Sequence, residues 1–92
     1  EVRLPAALSL HGNYPNPFNA STTIEYELKE NREIKLSIFD IHGGEVDVVA
    51  NNYQLAGEHS IVWNGYNVPS SIYFIRLSSG KFVQTKKAIL LK

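Results

Sequence analysis

Residues 22–40 read Thr22-Thr23-Ile24-Glu25-Tyr26-Glu27-Leu28-Lys29, a polar Glu30-Asn31-Arg32, and Glu33-Ile34-Lys35-Leu36-Ser37-Ile38-Phe39-Asp40. The first run alternates without a break. Thr22, Ile24, Tyr26 and Leu28 face one way, and Thr23, Glu25, Glu27 and Lys29 face the other. Successive side chains of a strand point to opposite faces, so this period of two marks a strand with one buried face. The second run repeats the pattern with Ile34, Leu36 and Ile38 inward. A helix would need apolar residues at spacings of three and four, and no useful length of this chain has them.

Working outward, further strands fall at 7–11, 45–50, 58–64, 71–78 and 81–91. Ile61 and Trp63 share a face of one, and Tyr73, Ile75 and Leu77 share a face of another. His42-Gly43-Gly44, Ala56-Gly57 and Asn64-Gly65 supply turns, and Ser79-Gly80 reads as a two-residue hairpin. The loop Gly12–Asn19 holds Pro15 and Pro17, which stiffen it and push Tyr14 and Asn16 toward extended geometry. Val, Ile, Thr, Tyr and Phe fill the runs, as strands prefer. Seven strands broken every eight to twelve residues predict an all-β, seven-stranded antiparallel sandwich of two sheets packed face to face.

The chain has 92 residues, 43% of them hydrophobic, enough for one domain spanning 1–92 and too few for two. Nine basic residues balance nine acidic ones, so no electrostatic footprint for nucleic acid is present. The absence of cysteine removes disulfides, thiolate metal sites and cysteine nucleophiles. The longest aliphatic run, Ala88–Leu91, is far short of a membrane span. No basic, apolar leader opens the sequence, which places any export signal upstream or among removed residues.

Several motifs occur in a telling order: Tyr14-Pro15-Asn16-Pro17-Phe18-Asn19, Ser21-Thr22-Thr23-Ile24, Ile38-Phe39-Asp40-Ile41, Gly44-Glu45-Val46, Ala56-Gly57-Glu58-His59, Trp63-Asn64-Gly65, Ile72-Tyr73-Phe74 and Lys87-Ala88-Ile89-Leu90-Leu91-Lys92. Together they resemble the type IX secretion system type A C-terminal sorting domain, over nearly the whole chain. The resemblance implies an immunoglobulin-like architecture, related to a domain of the flagellar hook-capping protein. It further implies a non-catalytic module ending an exported protein of a Bacteroidota-type Gram-negative bacterium. Such a module is read in the periplasm by the outer-membrane translocon and is usually then removed by a separate sortase-like, cysteine-dependent peptidase, leaving the cargo at the cell surface. The positions carrying the motifs are Tyr14, Pro15, Asn16, Pro17, Phe18, Gly57, Trp63, Gly65, Tyr73 and Lys87. The chain departs from the family where Ala20 stands for a frequent Pro, Gly44 for Arg, Asn64 for Asp and Ser71 for Gly.

Catalytic and metal readings find little support in the residues. Glu25 and Glu27 share a strand face about 7 Å apart, but alternation makes that face solvated. No nucleophile elbow surrounds any serine. His11, His42 and His59 lie far apart in sequence, and Asp40 and Asp47 lack the spacing of a calcium loop. No cofactor or metal is expected.

Trp63 shares a face with Ile61 and reads as core rather than as a sugar-stacking platform. Tyr14 and Phe18 are expected to plug an open end of the sandwich. Tyr73 reads as core, with its hydroxyl reaching a loop backbone as in a tyrosine corner.

Two places invite a partner. If Ile38 and Ile75 point inward, Phe39, Ile72 and Phe74 point outward on neighbouring strands, an apolar patch of the kind monomers avoid. The plain alternatives are a covering loop or a parity shifted by one residue. Lys86, Lys87 and Lys92 suit a machine reading a terminal strand, and a solvated basic end suits them equally. Residues 1–10 are read as a first strand, with exchange onto a neighbour's sheet edge as the alternative.

Three functions are therefore carried forward: a sorting module, a filament subunit joined by strand donation, and a carbohydrate-binding module.

Overall fold

The computed structural model describes residues 7–92. Seven strands follow one another: β1 (Leu8–Tyr14), β2 (Ser21–Leu28), β3 (Arg32–Phe39), β4 (Glu45–Gln54), β5 (Gly57–Asn64), β6 (Ser71–Ser79) and β7 (Phe82–Leu90). They form two antiparallel sheets, β1-β2-β5 and β4-β3-β6-β7. These orders are those of an immunoglobulin-like sandwich whose fourth strand has moved beside the third.

Alternation builds the core as expected. Leu8, Leu10, Ile24, Tyr26, Leu28 and Trp63 come from the smaller sheet, and Ile34, Leu36, Ile38, Tyr73, Ile75, Leu77, Ala88 and Leu90 from the larger. Among the described residues, no buried side-chain nitrogen or oxygen lacks a hydrogen-bond partner. No helix among them is long and apolar enough to cross a membrane.

The structure corrects several details. β1 continues through Tyr14, and β4 runs to Gln54. The hairpin between β6 and β7 pairs Ser79 with Phe82, so Gly80-Lys81 forms its tip and Gly80 has φ 58°. The turn between β3 and β4 is held by Asp40, whose carboxylate accepts the backbone N–H groups of His42 and Gly44, each at 2.9 Å.

The exchange reading for residues 1–10 meets the structure only in part, because residues 1–6 lie outside the described residues. Ala7, Leu8 and Leu10 are buried in the chain's own sandwich. The outer edge of β1 is also engaged: Leu10 N–H donates to Gln84 Oε1 at 2.7 Å, and Gln84 Nε2 donates to the Leu8 carbonyl at 3.2 Å. One side chain of β7 thus ties the rims of the two sheets together.

Candidate functional site

Most of the motif residues gather at one end of the sandwich, around the last strand, β7. A strand at a sheet edge leaves backbone groups unpaired, and here the proline loop pairs them. Phe18 N–H donates to the Ile89 carbonyl and Leu91 N–H to the Phe18 carbonyl, both at 2.9 Å, forming a parallel bridge between Phe18 and Leu90. The Asn16 amide fills the neighbouring places. Its Nδ2 donates to the Lys87 carbonyl at 3.2 Å and its Oδ1 accepts Ile89 N–H at 2.9 Å. An amide has a donor and an acceptor side by side, so it stands in for one residue of a missing strand.

The loop is held from beneath. Thr22 Oγ1 donates to the Pro15 carbonyl at 2.8 Å, and Asn13 Nδ2 donates to Thr22 Oγ1 at 3.1 Å. The Tyr14-Pro15 and Asn16-Pro17 peptide bonds are both cis.

Phe18 enters the core, where its ring meets that of Trp63 edge-on at 5.6 Å, and Trp63 meets Tyr73 in the same manner at 5.6 Å. Edge-to-face pairs at this separation are favourable beyond the area they bury. Trp63 is 3% exposed, and its Nε1–H donates to Asp47 Oδ2 at 2.9 Å. No face of its ring is free to stack on a sugar. Tyr73 donates its hydroxyl to the Pro69 carbonyl at 2.5 Å, the tyrosine-corner contact expected from sequence.

Tyr14 does not plug the end. It lies opposite Thr23, whose face is the outer one, and is 77% exposed. Gly65 belongs to the cluster because of space: a Cβ there would stand 3.0 Å from Leu90 Cδ2. Gly57 lies apart at the start of β5, where φ 128° requires glycine. Ala20 has φ 77°, an angle proline cannot take, so the frequent proline of the family pattern does not fit here, although alanine is itself strained at this angle. Ser71 opens β6 as ordinary strand and needs no glycine.

The outward parity of Phe39, Ile72 and Phe74 holds. Phe39 pairs with Phe74 across β3 and β6, and Ile72 pairs with Ile89 across β6 and β7. Arg76 covers part of this surface, its Cζ lying 4.2 Å from the centre of the Phe39 ring. Beyond Ile72 the patch opens into a groove of about 370 Å³ lined by Ile41, Ile72, Ile89 and Leu91 with Ser70 and Ser71. Ile41 and Leu91 escape a reading of the sequence because a turn and a chain end show no alternation.

The three lysines do not act together. Lys87 lies opposite Phe74 on the outer face, whereas Lys86 lies opposite Ile75 and belongs to the other face. Lys92 is engaged locally: its Nζ donates to the Tyr66 carbonyl and its backbone N–H to Ser70 Oγ.

Burial pushes the phenol pKa values of Tyr26 and Tyr73 upward. A hydrogen bond with Gln54 opposes the shift at Tyr26, and the charge of Asp40 adds to it at Tyr73. Raised phenols hold their protons more tightly in the folded state. Their contribution is therefore full below about pH 10 and lost as pH rises through the folded values. Thermal unfolding followed against pH should show a midpoint falling above about pH 10; a midpoint flat to about pH 12 would refute this linkage. Backbone hydrogen bonds from Gly44 foremost, then His42 and Gly43, lower the pKa of Asp40, aided by the charge of His42.

The family of the secretion system C-terminal sorting domain matches residues 13–91. No curated protein matches the chain. The match takes in β2 to β7 whole, the proline loop, and only the last two residues of β1, Asn13 and Tyr14. The chain belongs to the family of type IX secretion C-terminal sorting domains, which direct exported proteins to the cell surface or extracellular space.

Proposed function

We propose that this chain is a non-catalytic sorting signal that the type IX translocon reads at one end of its sandwich, around the terminal strand. One observation carries the reading: the secured end of β7 borders an exposed apolar groove, with Ile89 shared by both. Large apolar groups left in water and rimmed by polar ones mark a protein-binding surface. Phe39, Ile72 and Phe74 extend that surface along the outer face, and Lys87 supplies a charge beside it. Lys86 and Lys92 fall outside this reading. Transit runs through the periplasm, and removal by the sortase-like peptidase follows at the cell surface.

The test is transplantation. A reporter fused to the N-terminus of residues 1–92, and carrying its own inner-membrane export signal, should reach the surface of a type IX-secreting host. Retention in the periplasm with the sandwich folded would overturn the proposal.

A further inference from the structure

The outer face of the smaller sheet brings together three residues that lie outside the surface proposed for sorting. Glu27 and Glu58 stand directly opposite one another across β2 and β5. Like charges in that relation destabilise a sheet. Beside them a β-bulge interrupts the pairing of β1 with β2 between Leu10 and Gly12, and His11 is its extra residue. A bulge re-aims a side chain, and His11 Nε2 comes to 3.3 Å from Glu58 Oε1. One ligand-type atom from each of His11, Glu27 and Glu58 lies within 4.8 Å of the others. Among the described residues, Lys29 also stands at hand, its Nζ 3.1 Å from Glu27 Oε1, and Glu25 shares the same face of β2.

The geometry points to a binding site for a zinc-class divalent cation held by His11, Glu27 and Glu58. Tetrahedral zinc with bonds of about 2.0–2.2 Å holds its ligand atoms about 3.3–3.6 Å apart. The His11–Glu58 pair already has that separation, and rotation of the Glu27 carboxylate away from Lys29 supplies the third ligand. Water takes the fourth position. One imidazole with two carboxylates suits zinc and its first-row neighbours, whereas calcium and magnesium favour larger all-oxygen shells. A bound ion neutralises the opposed carboxylates and pins β1, β2 and β5 to one another.

Zinc chloride titrated into the 92-residue chain by calorimetry, near neutral pH, tests this. The expected result is saturation at one ion per chain, with affinity falling at least tenfold in His11→Ala and in Glu58→Gln and unchanged in His42→Ala. Cobalt(II) in place of zinc should give the intense visible absorption of a tetrahedral site, absent in His11→Ala. Magnesium and calcium chlorides should give no saturable heat. The affected side chains are largely exposed, so metal-free variants should melt close to the parent and confirm that the fold persists. No saturable zinc binding up to about 1 mM, binding indifferent to His11→Ala, or one ion shared between two chains would overturn the proposal. None of these outcomes bears on the sorting role.

Discussion

Trp63→Ala should bring the sandwich to the edge of unfolding. Truncating a buried aromatic costs about 3–5 kcal/mol, against a total stability of roughly 5–10 kcal/mol for a domain of this size. The loss falls at the high end here for three reasons. Trp63 packs edge-on against Phe18 and Tyr73, so its removal leaves both rings facing a void. Its indole N–H is the partner of Asp47, which lies on β4 in the other sheet. Phe18 in turn carries the backbone bridge to Leu90, so loosening it loosens the terminal strand. Urea denaturation should show the midpoint falling by half or more, with little change in slope. A loss below about 1 kcal/mol would show that the three rings do not act as one packed unit.

Ile72→Glu combined with Leu91→Glu should abolish export while leaving the fold in place. Ile72 is 38% and Leu91 58% exposed, and both line the groove at the end of β7. Surface substitutions of this kind usually change stability by no more than about 0.5 kcal/mol. Two carboxylates in an apolar contact, however, leave charges buried without partners when the partner docks. Surface display of a fused reporter should fall at least tenfold, with the melting temperature within about 5 °C of the parent. Val62→Glu is the matched control, exposed on the smaller sheet, and should be exported normally. Undiminished display of the double variant would remove the groove from the recognition surface and leave family membership untouched.

The strands are legible in the sequence because most have one wet face and one dry face. β2 shows that difference as strict alternation. β3 and β6 keep it in their inward residues, although Ser37 is buried out of step and Ile72 and Phe74 add apolar groups to the outer face. β4 extends to Gln54, beyond the 45–50 expected, for the opposite reason: as an edge strand it is exposed along most of its length, so no buried face disciplines its composition. Tyr14 departs from expectation because β1 does not give way to the proline loop at Gly12; it runs on past a bulge and turns Tyr14 outward. The motif residues can be named from sequence, but not their common task. Asn16 meets Lys87 and Ile89 across more than seventy residues, and local pattern carries no information about such pairs. The His11, Glu27 and Glu58 cluster is hidden similarly, since its members come from three strands and one sits in a bulge.

The clasp of Asn16 and Phe18 on the terminal strand joins the beginning of the described chain to its end. Contacts so distant in sequence close late, after the loops between them have been ordered. A chain that stops short of Ile89 has no carbonyl for Phe18 and no Leu91 amide to donate back. A chain that lacks Asn16 and Phe18 is in the same position. The end of the sandwich is thus assembled only when the proline loop and the last strand are both present and folded, so disorder in either one opens both.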